Sequence, residues 1–177
     1  MQIDQIIGCD IMEALEAIMG RRSIRKYTDK KIPEEIITTL LKAGMNAPSA
    51  HNTQPWEFIV LDNHDDMIKV TDYHPYSKML EQASHAIIVM GDNEIQSLDF
   101  GIQDCSAVTE NILIAATALG LGAVWLGLVD TAIDKTRKVF NIPSHVTPLS
   151  IISLGYPVEN KPPRENYNPK KVHRNTW

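Results

Sequence analysis

The sequence of 177 residues contains only two cysteines, Cys9 and Cys105, and this scarcity narrows the kinds of site that are possible. Two cysteines cannot build a disulfide framework, and no C-x-x-C spacing is present to hold a metal ion. Cys105 lies in an apolar helical pattern, so we interpret it as a small core residue. No G-x-G-x-x-G turn follows a predicted strand, so no dinucleotide-binding fold is indicated.

The chain also lacks an excess of basic residues. Its 17 Lys and Arg residues and 22 Asp and Glu residues give a net charge of -5, and its pI is about 5.6. A general nucleic-acid binder needs a basic face, so we expect no nucleic-acid partner, although a local pocket for one phosphate remains possible. The first residues, MQIDQIIGCD, lack the basic start and long apolar core of a signal peptide, so we expect a cytoplasmic location.

One uncharged run, from Ile112 to Val129, is long enough to suggest a membrane span. Gly120, Gly122 and Gly127 interrupt it, however, and no basic flank marks a cytoplasmic side. We therefore expect no membrane association, and predict a buried helix that ends at Gly120, a glycine turn, and a buried strand or loop. A helix that is apolar all round must be covered on all sides, and a second subunit is a natural cover in a chain of this size.

Periodicity and chain breakers predict helices and strands without a regular βαβ order, which favours an α+β fold. Helices are predicted at 11–19 with Asp10 as the N-cap, and at 33–45, 65–73, 76–83, 103–119 and 131–140; strands are predicted at 58–61, 86–90 and 149–154. From residue 160 the chain is polar and contains prolines, so it cannot form its own core. We expect one domain at 1–159, followed by an extended arm at 160–177 that lies on a partner subunit.

A basic segment, RRSIR at residues 21–25, follows the first predicted helix and is expected to be extended. Alternate side chains of an extended chain share a face, so Arg21, Ser23 and Arg25 should point together, with Arg22 and Ile24 opposite. Two guanidinium groups and a hydroxyl suit a phosphate monoester. The alternative is a solvated basic turn, and composition alone favours it.

Three further segments have candidate binding residues. APSAHNTQPW at 47–56 offers amide donors and acceptors that could read the edge of a flavin ring, or it is a polar turn anchored by Trp56. The glycines in GLGAVWLG at 120–127 would let the backbone approach a planar ligand, or they cap a helix before a core strand. In the tail, Lys171 and His173 share a face if the chain is extended, and a disordered basic tail is the alternative.

Taken together and in this order, the segments resemble the nitroreductase family of FMN enzymes. The matching pieces span nearly the whole chain: RRSIRKYTDKKIP at 21–33, APSAHNTQPWEFIV at 47–60, ALGLGAVWLG at 118–127, IPSHVTPLSIISLGYP at 142–157 and VHRNTW at 172–177. The resemblance implies an α+β fold with a central mixed or antiparallel sheet flanked by helices. It also implies an intertwined homodimer with two FMN sites at the subunit interface and an extended C-terminal arm that completes them.

The resemblance carries roles onto particular positions of this chain. The basic segment would bind the FMN phosphate and ribityl oxygens, Asn52 would contact the flavin from the other subunit, and the backbone at Leu126 and Gly127 would face flavin N5. The tail departs from the family pattern, with Lys171 where arginine is common and Arg174 where tyrosine is frequent. The full set of cofactor-binding candidates is Arg21, Arg22, Ser23, Arg25, Ser49, Asn52, Gln54, Leu126, Gly127, Lys171 and His173.

The implied activity is that of an FMN-dependent oxidoreductase. NADH or NADPH would reduce the flavin, and a nitroaromatic, a quinone or a related small acceptor would then take the electrons. Because the cofactor carries this chemistry, no side-chain acid or base is required. Two alternatives remain: a flavin-cleaving or reductively dehalogenating enzyme of the same fold, with the region from Asp65 to Gln82 as a substrate lid, and a flavin-binding module without turnover.

Overall fold

The computed structural model describes residues 12–162 and 164–177. In this part of the chain the helices are α1 (Ala14–Gly20), α2 (Glu34–Met45), α3 (His64–Thr71), α4 (Leu98–Ala118) and α5 (Thr131–Val139). The strands are β1 (Trp56–Leu61), β2 (His85–Asp92), β3 (Gly122–Gly127) and β4 (Val146–Gly155). Short 3-10 helices cover Ala50–Asn52, Lys78–Glu81 and Pro169–Lys171. The predicted N-cap Asp10 lies outside the described residues.

The four strands form one sheet in the order β1-β2-β4-β3. Every neighbouring pair is antiparallel, so the predicted α+β class is confirmed, and its sheet is antiparallel. Among the four strands, β3 pairs only with β4 and forms one edge of the sheet. An edge strand leaves half of its backbone groups without a ladder partner, and this open edge positions the candidate site.

Helices cover the sheet on both faces, because alternate residues of its strands pack into two separate cores. In β2, Ile87 and Val89 join the core under α2 and α4, which includes Leu40 and Ile112. Ile88, between them, joins the opposite core with residues of α3 and the 3-10 helix at 78–81. A strand buried on both faces gives a continuous apolar run, which is how HAIIVM at 85–90 is recognised in the sequence.

Several predicted boundaries are wrong. Strand β4 begins at Val146, three residues before its predicted start, because it continues through Pro148 at a register shift opposite Val89 and Met90. Proline removes a ladder donor and is tolerated at such bulges. Helix α4 begins at Leu98, five residues early. The region predicted as a helix at 76–83 forms only the short 3-10 helix.

Helix α4 is only partly covered within one chain. Its second half has no exposed residue and ends before Gly120, whose φ of 70° forms the predicted glycine turn. Its first half exposes Leu98, Phe100 and Ile102 by 45–47%. One chain does not cover this helix on all sides, and the expected cover by a second subunit stays a prediction. None of the helices in the described residues is long and apolar enough to cross a membrane.

His85 at the start of β2 should make stability depend on pH. The residue is buried, and burial, followed by the nearby positive charge of Lys31, lowers the pKa of its imidazole. The unfolded chain then binds this proton at a higher pH than the folded chain, so stability falls as the pH drops through about 6.5. We expect the melting temperature to fall less between pH 7 and pH 5 in His85→Gln than in the wild type. Equal falls in thermal unfolding scans would contradict this assignment.

Candidate functional site

The basic segment at 21–25 runs along the open edge of β3. The backbone N–H of Ile24 donates to the carbonyl of Ala123 at 3.0 Å, and Ser23 lies opposite Ala123 in a parallel bridge. The Ile24 side chain is buried in the core shared with α3. The segment is therefore extended, as predicted, and its position is fixed by the sheet rather than left to solvent.

Two contacts hold this segment close to the strand. The Tyr27 hydroxyl donates to the Ile24 carbonyl at 2.7 Å, and burial raises the pKa of this tyrosine above its ordinary range. Gly122 of β3 lies directly under Ile24, so a Cβ there would stand 2.6 Å from Ile24 Cγ2. Glycine is thus required at Gly122 for close approach of the two backbones.

Gly122→Ala should displace the basic segment from the sheet. The added methyl would overlap the Ile24 side chain, and overpacking of this kind costs about 1–3 kcal/mol of stability. We expect a lower midpoint in chemical unfolding and faster amide exchange over residues 21–25. Gly20→Ala is the matched control, because a Cβ at Gly20 meets nothing within 4 Å. Equal stability of the two variants would show that the approach at Gly122 is not tight.

A cavity of about 400 Å³ opens beside the segment, and its lining is strongly cationic. Its lining residues are Arg21, Arg22, Ser23, Arg25, Lys161, Arg164 and Asn166. Among the described residues, the lining has five cations and no carboxylate, which suits a multiply charged anion and repels cations. The structure therefore brings together all four candidates from residues 21–25.

Arg22 corrects the predicted alternation, which placed it on the opposite face. Its Nη1 donates to the Met19 carbonyl at 3.0 Å and its Nε donates to the Pro162 carbonyl at 2.9 Å. These carbonyls turn the guanidinium back over the end of α1 and into the cavity wall. Its Nη2 is buried and has no hydrogen-bond partner among the described residues. An unsatisfied cationic donor in a cavity wall is a fitting contact for a bound anion.

Residues at the start of the C-terminal arm close the cavity within the same chain. Lys161 Nζ donates to the Ser23 carbonyl at 2.6 Å, and Glu159 Oε1 accepts from the Arg25 N–H at 3.0 Å. The Arg25 N–H, with help from Lys161, lowers the pKa of the Glu159 carboxyl. Lys161, Arg164 and Asn166 were not predicted as site residues from the sequence. The one sequence feature that points to them is that the arm contains basic residues beside its prolines.

The other tail candidates lie elsewhere. Lys171 and His173 are exposed and do not line the cavity in this chain. The His173 ring stacks on Trp177 with 4.1 Å between ring centroids, and Trp177 is 99% exposed. Exposing the apolar surface of these two stacked rings to water is unfavourable. The prediction that the tail packs on a partner subunit and reaches its phosphate site therefore stays a prediction.

A second cavity of about 490 Å³ shares one lining residue, Arg25, with the first. Its walls are largely aromatic and apolar, and they include the candidates Leu126 and Gly127 of β3. The other main contributors are Tyr73, His74, Tyr76 and Trp125. The pair of cavities could therefore receive a ligand with an anionic group at one end and a planar apolar group at the other.

The backbone of β3 determines which N–H groups face this second cavity. The carbonyls of Ala123 and Gly127 both bond groups outside the sheet, namely the Ile24 N–H and the His74 imidazole. The Leu128 N–H, by contrast, donates to Leu149 of β4. Because both backbone groups of a residue in an antiparallel strand point to the same side, the Gly127 N–H points to the open edge and the Leu126 N–H points into the sheet.

The loop with candidates Ser49, Asn52 and Gln54 is held in an uncommon conformation. His51, Asn52 and Gln54 have φ values of 54°, 57° and 51°, in the left-handed region that non-glycine residues seldom adopt. The Ser49 hydroxyl accepts from the Gln54 N–H at 2.9 Å and braces the loop. None of these three candidates lines either cavity of its own chain. Strain of this kind is common at binding sites.

Asp104 of α4 anchors the same loop and was not found from the sequence. Its Oδ1 accepts from the Ala50 N–H at 3.0 Å, while Oδ2 is buried without a partner among the described residues. Gln96 adds a second brace, because its Nε2 donates to the Thr53 hydroxyl at 3.2 Å. The loop is therefore fixed against α4 beside the exposed apolar residues of that helix.

Comparison with known proteins shows which proteins this chain resembles in sequence and in fold. A protein of Methanothermobacter thermautotrophicus, provisionally named an NADH dehydrogenase/NAD(P)H nitroreductase, is 46% identical over 169 residues, which cover 94% of this chain and 88% of that protein. A similarly named protein of Parabacteroides distasonis has a crystal structure with a TM-score of 0.89 and 38% identity, covering 93% of this chain and 98% of that one.

A third relative was solved with a ligand. The crystal structure of a Desulfovibrio desulfuricans protein, provisionally described as a nitroreductase, is a complex with FMN; its TM-score is 0.82 and its identity 29%, covering 95% of this chain and 99% of that one. The model of the nitroreductase family matches residues 18–73 and 67–156. With four-fifths of its length inside that match, and with the antiparallel sheet and the segments at 21–33 and 47–60 in place, the chain belongs to the nitroreductase family.

Proposed function

We propose that this protein is an FMN-dependent NAD(P)H oxidoreductase that reduces small aromatic acceptors such as nitroaromatics or quinones in two half-reactions. The observation that carries the proposal is the cationic cavity at residues 21–25, joined through Arg25 to an aromatic cavity at the edge of β3. The name of the Methanothermobacter relative and the FMN complex of the Desulfovibrio relative support the same activity.

The residues present fit FMN at both ends of that cofactor. A phosphate monoester carries close to two negative charges and accepts several hydrogen bonds, which suits Arg21, Arg25 and the unpartnered Nη2 of Arg22. Above Gly127 there is open space, since a Cβ there would meet nothing within 4 Å. A planar ring can approach a backbone that carries no side chain.

When bound, FMN supplies the hydride and electron chemistry, and the protein supplies binding, orientation and electrostatics. Arg21, Arg22 and Arg25 would hold the phosphate. The Gly127 N–H at the open edge of β3 would donate to the ring, and Trp125 with Tyr73 would limit the access of water from the aromatic cavity. No side chain is assigned as a catalytic acid or base, so the site-residue proposal concerns binding and orientation.

We propose further that the active form is a homodimer, in which the loop at 49–54 serves the partner's FMN site. In one chain this loop lies outside both cavities, although Asp104 and Gln96 hold it in a strained shape. Leu98 and Phe100 are exposed on the same helix that anchors the loop. Large exposed apolar side chains commonly mark an interface. A partner covering α4 would thereby also deliver Asn52.

The test is to purify the full chain, load it with FMN and record the visible spectrum together with the oxidation of NADH and NADPH in the presence of a nitroaromatic and a quinone. We expect a bound-flavin spectrum and turnover that depends on both donor and acceptor. Failure to take up FMN would contradict the proposal. Uptake without turnover would favour a flavin-binding module, and degradation of the reduced flavin in oxygen would favour a flavin-cleaving enzyme.

A further inference from the structure

The aromatic cavity is bounded by a short segment that the proposed function does not explain. Residues 72–77, here called the tyrosine loop, connect α3 to the 3-10 helix at 78–81 and contribute Tyr73, His74 and Tyr76 to the cavity wall. The loop reaches the end of β3 through the side chain of His74. This contact joins a surface loop to the strand that carries Gly127.

His74 forms a bridge with a defined direction. Its imidazole is buried, with Nε2 3.1 Å from the Gly127 carbonyl and Nδ1 3.3 Å from the Tyr76 nitrogen. A backbone N–H can only donate, so Nδ1 accepts from the Tyr76 N–H and therefore carries no proton itself. In the neutral ring the proton therefore sits on Nε2, which donates to Gly127.

The backbone under this imidazole is itself held in place. The His74 N–H donates to the Val70 carbonyl at 3.0 Å, so the loop begins as a continuation of α3. The fully buried Ser77 donates through its hydroxyl to the His74 carbonyl at 2.6 Å. These bonds fix the Cα of His74, and the imidazole transmits that position to β3.

The hydrogen bond from His74 restrains the backbone of Gly127. This glycine ends β3, has no side chain to pack, and exposes its N–H at the open edge of the sheet. A glycine at a strand end has more backbone freedom than any other residue, so its orientation needs an external constraint. The His74 bond to its carbonyl supplies that constraint on the cavity side.

We propose that His74 is a positioning residue: it couples the tyrosine loop to Gly127, so that the aromatic wall of the second cavity, against which an acceptor would lie beside the flavin, and the Gly127 backbone keep one relative geometry. This inference rests on the proposed function for its kinetic consequence, but not for its structural one. It assigns a role to a buried histidine without making it an acid or a base.

Two substitutions separate the two bonds of the imidazole. In His74→Gln the amide nitrogen can take the place of Nε2, so the bond to Gly127 is kept. In His74→Asn the shorter side chain can place its amide oxygen near the position of Nδ1, which keeps the contact with the Tyr76 N–H and loses the bond to Gly127. The two variants therefore differ chiefly in the coupling that we propose.

The first readout is amide exchange of the purified full chain without added flavin. We expect exchange of the Leu128 N–H, which is bonded to Leu149, and exchange across the tyrosine loop to be about five- to tenfold faster in His74→Asn than in the wild type, and near wild type in His74→Gln. Wild-type exchange in His74→Asn, or equal acceleration in both variants, would overturn the proposal.

The second readout is steady-state kinetics of the FMN-loaded protein. We expect His74→Asn to raise the KM for an aromatic acceptor about five- to tenfold, with kcat and the FMN Kd within about twofold of the wild type, and His74→Gln to restore the KM. A lower FMN affinity together with a higher KM in both variants would indicate general destabilisation and overturn the positioning role. If the wild type does not turn over, the proposed function fails, while the exchange comparison still decides the role of His74.

Discussion

Removing two arginines from the cationic cavity should release FMN while the fold stays intact. Arg21→Ala combined with Arg25→Ala deletes two guanidinium groups that line the cavity. Each charge-assisted hydrogen bond is worth roughly 1.5–3 kcal/mol, so the pair should weaken FMN binding by about 10²- to 10⁴-fold. The measurement is titration of the apoprotein with FMN, followed by flavin fluorescence.

The single variants should differ in a direction that the structure determines. Arg21 Nε already pairs with Glu110 at 2.9 Å, whereas Arg25 has no ion pair among the described residues. A partly exposed ion pair is a weak interaction, but it neutralises some of the field of Arg21. We therefore expect Arg25→Ala to weaken FMN binding more than Arg21→Ala. The opposite order would show that Arg21 leaves Glu110 for the phosphate.

The matched control for the double variant is Lys135→Ala with Lys138→Ala. Both lysines are exposed on α5 and line neither the cationic nor the aromatic cavity, and their removal changes the net charge by the same amount. If FMN affinity falls equally in the control, the overall charge of the protein attracts the cofactor, and the phosphate assignment to Arg21 and Arg25 is wrong.

Placing a charge on the exposed apolar part of α4 should separate the subunits. Phe100 is 47% exposed in the isolated chain. A carboxylate buried there without a partner would be strongly unfavourable, and a two-fold interface counts it twice, so Phe100→Glu should raise the dimer Kd by at least about 10²-fold. We expect light scattering at micromolar protein to give a dimer for the wild type and a 19.9 kDa monomer for the variant.

Loss of the dimer should also weaken FMN binding, because the loop with Asn52 would no longer reach the partner's site. Thr38→Glu, which adds the same charge to an exposed position of α2, is the control and should stay dimeric with normal FMN affinity. A monomeric wild type, or a monomeric Phe100→Glu that binds FMN as tightly as the wild type, would contradict the shared site.

The sequence predicted those features that depend on neighbours in the chain. Pro33 with apolar residues at helical spacing predicted α2, and the glycine at position 120 predicted the break after α4, where the structure gives it a φ of 70°. Extended geometry at residues 21–25 also followed from local signals, and the structure adds the reason, since the Ile24 N–H pairs with Ala123. Local propensity is reliable where tertiary contacts agree with it.

Features that depend on contacts between distant parts of the chain could not be predicted from the sequence. Arg22 enters the cavity because the Pro162 carbonyl, 140 residues away, accepts from its guanidinium. Lys161 and Asp104 act on backbone groups, which carry no sequence signal of their own. Strand β4 begins before Pro148, where a bulge tolerates the proline, so its start was predicted too late. Pairings of this kind are set by the completed fold, so no local pattern could have indicated them.

The most direct test of the central claim compares FMN with riboflavin on the same apoprotein. The two ligands share the ring and the ribityl chain and differ only in the phosphate, which the cationic cavity at residues 21–25 is proposed to hold. With Arg21, Arg22 and Arg25 in place, we predict that FMN binds at least about 100-fold more tightly than riboflavin. Equal affinities, or no binding of either flavin, would contradict the account.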